Sequence, residues 1–137
     1  MNYFLRMLTK NLLAHKKTLL GLAVGWTVLM AVLCLVSFNK LPRVGVSGAD
    51  KYVHVTLHFV FTLLWGLYIR YRQNEIRIPG MIRIVLISLG YGILIEFLQE
   101  MLTTTRHADV LDVLANFTGA LLALGLFAYL KKVKSTK

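Results

Sequence analysis

Five of the six acidic residues lie at or just inside the ends of three long apolar stretches. A carboxyl group in such a position is costly unless it has a partner or a function. The five residues are Asp50, Glu96, Glu100, Asp109 and Asp112. Two histidines, His54 and His58, follow Asp50 at helical spacing. Carboxyl and imidazole groups transfer protons and bind divalent metal ions. These residues therefore indicate acid–base chemistry, a metal site or a buried network of ion pairs.

Helical geometry arranges the polar residues into one stripe on each of three successive helices. The second apolar stretch carries Asp50, Lys51, His54 and His58. The third carries Glu96, Gln99 and Glu100. The fourth carries Asp112, Asn116 and Gly119, with Asp109 one turn above Asp112. Helices joined by short connections pack side by side, so we expect the three stripes to face one interior pocket.

The first interpretation of this pocket is catalytic. His54 would accept a proton, Glu96 would act as the acid, and Asp112 would complete the catalytic set. Lys51 and Arg106 would bind an anionic head group, because ammonium and guanidinium groups bind phosphate well. The predicted binding residues are Asp50, Lys51, Gln99, Arg106, Asp109 and Asn116. No serine nucleophile is predicted, because the serines lie away from the stripes: Ser37, Ser47, Ser88 and Ser135.

Two further interpretations stay open. His54 and His58, together with Glu96, Glu100 and Asp112, have the ligand types of a divalent-metal site, with His54, His58 and Glu96 as the first candidates, although the His-Glu-x2-His pattern of zinc proteases is absent. We therefore predict no specific metal ion, and the sequence does not identify a cofactor. In the other interpretation the cluster is structural, and Lys51 and Arg106 neutralise the acids so that the helices hold together.

The elements that must position these residues are membrane helices. Of the 137 residues, 57% are apolar and only 16% are charged, which is typical of an integral membrane protein. Four apolar stretches, at about residues 19–38, 52–69, 82–102 and 109–130, are long enough to cross a bilayer as helices. We predict an all-α, integral membrane four-helix bundle whose first helix is partly peripheral, because it carries no polar stripe. This domain spans residues 18–131, between basic segments at 1–17 and 132–137.

The distribution of basic residues predicts the orientation. With four spans, the N-terminal segment, the second connection and the C-terminal tail lie on the same side of the membrane. Twelve of the 16 lysines and arginines lie on that side, and four lie on the other. Both termini are therefore predicted to be cytoplasmic, and the pocket is predicted to face outwards. This asymmetry and attraction to anionic lipids explain the net charge of +10, so no nucleic-acid partner is predicted.

The polar residues also carry a resemblance to a known family. The motifs Asp50-Lys51-x2-His54, Glu96-x2-Gln99 and Arg106-x2-Asp109-x2-Asp112-x3-Asn116-x2-Gly119 resemble those of the VanZ-like family of small bacterial membrane proteins. The family takes its name from an accessory protein of glycopeptide-resistance clusters that is associated with teicoplanin resistance, and most members lie outside such clusters. The resemblance implies a multi-pass protein of the bacterial plasma membrane with a cell-envelope role. It implies no established reaction.

Membrane lipids are the expected partners, with a lipid-linked envelope precursor as a candidate ligand, and the oligomeric state is left open. In the preferred hypothesis the pocket binds or modifies an anionic lipid or a lipid-linked cell-wall component, with lowered glycopeptide susceptibility as one consequence. The alternative is a non-catalytic binding or scaffold protein whose polar cluster is a structural ion-pair network. A transporter is least favoured, because the four spans show no internal repeat and no broken helix.

Overall fold

The computed structural model describes residues 16–35, 49–73, 75–102 and 109–135. These residues contain four helices: α1 (Lys16–Leu35), α2 (Ala49–Gln73), α3 (Ile78–Leu102) and α4 (Val110–Ser135). Each helix is long and apolar enough to cross a membrane. The described part of the chain contains no strand, so the predicted all-α four-helix membrane fold is confirmed.

All four helices extend past the predicted apolar stretches at one end or both. α2 continues through Arg70 and Arg72 to Gln73, and α4 continues through the C-terminal lysines to Ser135. Long basic side chains tolerate such positions because their stems lie along the helix while their charged ends reach water. Pro79 lies in the first turn of α3, where proline costs little because its missing N–H would have no helical partner. The predicted N-terminal segment lies outside the described residues except for its last two lysines.

The packing of the bundle centres on α2, which makes its most extensive contact with α4. A stripe of small residues on α4 faces this contact, since Ala115, Gly119 and Ala123 are all buried. The closest approach is at Gly119, where an added Cβ atom would collide with the Val55 carbonyl oxygen and lie 3.0 Å from the Phe59 amide nitrogen. Small residues let membrane helices approach closely enough for extensive van der Waals contact. The stripe therefore sets the spacing of the two helices that carry most of the polar cluster.

Helix α1 packs on α2 and α3 and is joined to them by hydrogen bonds as well as apolar contacts. The Trp26 indole N–H donates to the Leu57 carbonyl at 3.0 Å, and the Tyr91 hydroxyl donates to the Thr27 carbonyl at 2.7 Å. The Trp65 indole N–H donates to the Thr27 hydroxyl at 3.2 Å. Such bonds supply interhelical attraction that lipid-like side chains alone do not provide.

Two apolar clusters hold the bundle at different levels. Next to the polar residues, α1, α2 and α3 share a cluster formed by Met30, Cys34, Leu57, Phe61 and Ile95. At the other end, the connection 75–77 and helices α3 and α4 share a second cluster formed by Ile76, Met81, Ile84 and Phe127. The Phe127 ring lies against Gly66 of α2, so α2 is bound at this level too. The polar residues lie beyond the first cluster, at the end of the bundle where α2 and α4 begin and α3 ends.

Candidate functional site

A cavity of about 470 Å³ opens between the helices at the end where α2 and α4 begin. Its polar lining comes from the three predicted stripes: Asp50, His54, Glu96, Gln99, Asp109 and Asp112. Residues 33 and 34 of α1 complete the wall, so the first helix takes part although it has no polar stripe. A volume of this size is typical of cavities that bind small molecules. We call it the polar cavity.

The Lys51 side chain forms an ion-pair network that joins α2 to α4. Its ammonium nitrogen lies 3.1 Å from an oxygen of Asp109, 3.1 Å from an oxygen of Asp112 and 3.3 Å from an oxygen of Asp50. An ammonium group has three N–H donors, so these three carboxylates can use all of them. Lys51 therefore offsets part of the negative charge around it, and an anionic ligand would have to displace a carboxylate to reach it.

Asp109 stands immediately before α4 and caps its first turn. One carboxylate oxygen accepts a hydrogen bond from the Leu111 amide at 2.8 Å, which satisfies a donor that has no partner within the helix. This backbone hydrogen bond, followed by the contact with Lys51, lowers the pKa of Asp109 because both stabilise the ionised form. Asp109 is therefore a permanent negative charge at the rim of the cavity near neutral pH.

His54 is buried, and its two ring nitrogens have different surroundings. Nδ1 lies 3.0 Å from Oδ1 of Asn116, and an amide oxygen can only accept, so Nδ1 carries a proton. Nε2 faces two carboxyl groups, at 3.7 Å from Asp112 Oδ2 and 4.0 Å from Glu96 Oε1. Both distances are too long for direct hydrogen bonds. In the neutral ring, the lone pair of Nε2 is therefore directed into a gap between two acids.

Glu96 is the most deeply buried acid of the cavity, at 3% exposure. Its Oε2 atom accepts a long hydrogen bond, 3.4 Å, from the Asp109 amide. Its Oε1 atom is buried and has no hydrogen-bond partner among the described residues. A buried carboxyl oxygen in this position is costly unless a proton, a water molecule or a cation satisfies it.

One ligand atom from each of His54, Glu96 and Asp112 lies within 4.8 Å of the other two. We call these three residues the acid–histidine centre. They are the three residues predicted to be catalytic. His58, predicted as a third metal ligand with His54 and Glu96, lies one turn further along α2, where its Nδ1 atom is 2.8 Å from the Ser88 hydroxyl. The structure therefore groups His54 and Glu96 with Asp112, another of the candidate ligands, and not with His58.

The remaining predicted site residues have separate positions. Gln99 lines the cavity and donates a hydrogen bond of 2.6 Å to the Cys34 carbonyl near the end of α1. Asn116 is buried behind His54 and does not need to touch a ligand to orient the ring. Glu100, which shares a predicted stripe with Glu96, is exposed. Arg106 lies outside the described residues.

Comparison with protein families gives one decisive result. The family model for VanZ/LLP1 matches residues 3–131, nearly the whole chain. The chain belongs to the VanZ/LLP1 family. No curated protein and no solved structure matched the chain in the corresponding comparisons. The protein is thus a VanZ/LLP1 membrane protein with four candidate spans, and the predicted resemblance is confirmed.

In this VanZ/LLP1 protein, sequence reasoning missed two residues that support the site. Ser88 pairs with His58, and Gly92 leaves room for the Asn116 side chain, whose Nδ2 atom would lie 2.6 Å from a Cβ added at Gly92. The signal was present, because Ser88, Gly92 and Glu96 recur every four residues on one face of α3. The spacing indicates a shared face, but it does not indicate that the Ser88 hydroxyl meets the buried imidazole of His58.

The described part of the VanZ/LLP1 cavity has more acidic than basic groups. Asp50, Glu96, Asp109 and Asp112 face it or its rim, and Lys51 supplies the opposing ammonium group. His54 adds positive charge only when both ring nitrogens are protonated. The electrostatic potential of these residues therefore favours a cation next to the acid–histidine centre.

Proposed function

We propose that this protein acts in the bacterial cell envelope by binding the polar head of an anionic lipid, or of a lipid-linked cell-wall component, in the polar cavity and modifying it there. The acid–histidine centre would be the site of reaction. We further propose that both termini are cytoplasmic, so that the cavity opens to the outer leaflet, where such components are used. A change in susceptibility to glycopeptides such as teicoplanin would be a downstream effect of this activity.

The observation that carries the proposal is the Oε1 atom of Glu96. It is buried, has no hydrogen-bond partner among the described residues and borders the polar cavity. A network that served only to hold helices together would gain by pairing this atom, because an unsatisfied buried acceptor destabilises the fold. An acceptor kept unpaired beside a cavity, 4.0 Å from a histidine nitrogen, is instead suited to meet a ligand. A buried polar atom without a partner calls for an explanation such as a bound ligand.

The position of the cavity supports a lipid-linked ligand. It lies between helices that are long enough to cross a membrane, and apolar residues of α1 and α2 form part of its wall. A ligand with a polar head and an apolar chain can place its head among the acids while its chain stays in lipid.

A scaffold function is the second candidate, and the Lys51 network favours it. Three carboxylates surround one ammonium group and bridge α2 and α4, which is the arrangement expected of an interhelical clamp. In that case the cavity would bind a lipid without changing it. Both candidates require the cavity, and they differ in whether Glu96 and His54 must react.

The lipid composition of cells separates the two candidates. Cells that carry wild-type protein, Glu96→Gln or the matched control Glu100→Gln are compared with cells that lack the gene. If the protein is an enzyme, one lipid or lipid-linked species should change with wild type and Glu100→Gln and stay unchanged with Glu96→Gln, at equal protein levels. If Glu96→Gln retains the full wild-type lipid profile, the proposed reaction at this centre is wrong and the scaffold function is favoured.

A further inference from the structure

We infer that the acid–histidine centre binds one divalent transition-metal ion, with Zn²⁺ as the representative ion. The ligands would be His54 Nε2 and one carboxylate oxygen each from Glu96 and Asp112. This inference deepens the proposed function and rests on it for the role of the ion, whereas binding of the ion can be measured without any lipid.

The spacing of the three groups is the first argument. Nε2 of His54 is 3.7 Å from Asp112 and 4.0 Å from Glu96, and the ligand atoms of the three residues all lie within 4.8 Å of one another. These separations exceed hydrogen-bond lengths. Ligands bound at about 2.0–2.2 Å on different sides of one ion are roughly 3–4.5 Å apart. The gap is therefore too wide for direct pairing and close to the size that a shared ion needs.

The orientation of His54 is the second argument. Asn116 accepts the Nδ1 proton, so the neutral ring presents the lone pair of Nε2 to the two acids. Histidines that bind metal ions usually donate their other N–H to a carbonyl or carboxylate in this way, which fixes the ring and its tautomer. Asn116 is 1% exposed, so this supporting contact is held rigidly inside the bundle.

The burial of Glu96, with its unpaired Oε1 atom, is the third argument. Only 3% of the Glu96 surface is exposed, and its Oε1 atom lacks a hydrogen-bond partner among the described residues. A bound cation would satisfy this atom and offset the excess of acidic groups around the cavity. Because one ligand is an imidazole nitrogen, Zn²⁺ or a similar transition metal is favoured over Mg²⁺ and Ca²⁺, which prefer oxygen ligands.

The ion would give the cavity the affinity for anions that Lys51 does not provide. Three protein ligands leave at least one coordination position open, which is the arrangement found in catalytic zinc sites. The polar cavity borders His54, Glu96 and Asp112, so an oxygen of a phosphate or pyrophosphate head group could reach that position. The ion would hold the head group in an otherwise acidic site.

Metal titration of the purified full-length protein in detergent tests the inference. After treatment with EDTA and dialysis, the protein is titrated with ZnCl₂ by calorimetry and with CoCl₂ by visible absorbance. We expect saturable binding of one ion per chain, and affinity at least about tenfold lower in Glu96→Gln and His54→Ala. The matched control is Glu100→Gln, which removes an exposed acid from the same helix and should keep wild-type affinity within about twofold.

A thermal measurement covers the case in which a variant folds poorly. Zn²⁺ should raise the melting temperature of wild-type protein, because an ion that binds only the folded state stabilises it, and should raise that of Glu96→Gln less. The inference is wrong if wild-type protein shows no saturable Zn²⁺ binding, or if Glu96→Gln binds as tightly as Glu100→Gln. Absence of Zn²⁺ binding together with a lipid change that depends on Glu96 would overturn the metal site alone. Zn²⁺ binding without any lipid change would overturn the proposed reaction alone.

Discussion

Replacing Gly119 with alanine should push α2 away from α4 and lower the stability of the protein. The added Cβ atom would collide with the Val55 carbonyl oxygen and would lie only 3.0 Å from the Phe59 amide nitrogen and from the Val55 carbonyl carbon. These are backbone atoms of α2, so no change of side-chain rotamer can relieve the collision. The two helices must separate, or α4 must shift along α2.

The expected magnitude follows from the kind of contact that is lost. Overfilling a closely packed core costs about 1–3 kcal/mol. Alanine also favours helix over glycine by about 1 kcal/mol, which acts in the opposite direction. Gly125→Ala on the same helix is the matched control, because its added Cβ atom would meet nothing within 4 Å. The difference between the two variants in free energy of unfolding cancels the helix-propensity contribution and leaves the cost of the collision.

The assay is thermal unfolding in detergent followed by circular dichroism. Gly119→Ala should melt about 3–12 °C below Gly125→Ala, at roughly 3–4 °C for each kcal/mol. The separation should also disturb the Lys51 network, since its contacts with Asp109 and Asp112 bridge the same two helices. Equal melting temperatures for the two glycine variants would refute the close approach of α2 and α4 at Gly119.

Three other predictions follow from the described contacts and the charge pattern. Ser88→Ala should lower the free energy of unfolding by about 1–3 kcal/mol, because the buried His58 loses its hydroxyl partner. Thr118→Ala, at an exposed position, is the control and should change the free energy of unfolding little. Equal losses in the two variants would contradict the prediction. A reporter active only in the cytoplasm and fused to the C-terminus should be active, whereas a silent and well-expressed fusion would reverse the orientation. The Arg77 guanidinium lowers the pKa of Glu75, so an NMR titration should give Glu75 a higher midpoint in Arg77→Ala than in wild type, and an unchanged midpoint would contradict the contact.

The sequence allowed prediction of what depends on length and helical register. Apolar stretches of membrane length predicted the four helices, and spacing of three or four residues predicted which polar side chains share a face. His54, Glu96 and Asp112 could be assigned to one pocket on this basis, because α2, α3 and α4 pack together at matching depth. Both inferences use only the geometry of single helices and the cost of polar groups in lipid.

What the sequence did not predict depends on how one helix is rotated and placed against another. The partner of His58 is Ser88, and the partner of Gln99 is the backbone carbonyl of Cys34, which no side-chain pattern can indicate. Two roles were predicted for Lys51, binding an anion or neutralising the acids, and the sequence could not decide between them; its ammonium group meets three carboxylates at 3.1–3.3 Å. That arrangement arises because Asp109 caps α4 directly opposite the start of α2, a relation that only the packed bundle defines.

The ion-pair network of Lys51 has a consequence for the synthesis of the protein. Its partners Asp109 and Asp112 are 58 and 61 residues further along the chain, so α2 is synthesised before either of them. Until α4 joins the bundle, the carboxylate contact left to Lys51 among those described is the one with Asp50 on its own helix. Because a charged group is costly in hydrocarbon, we expect this end of α2 to stay near the membrane surface until then. Insertion of α4 is thus the step that completes the network.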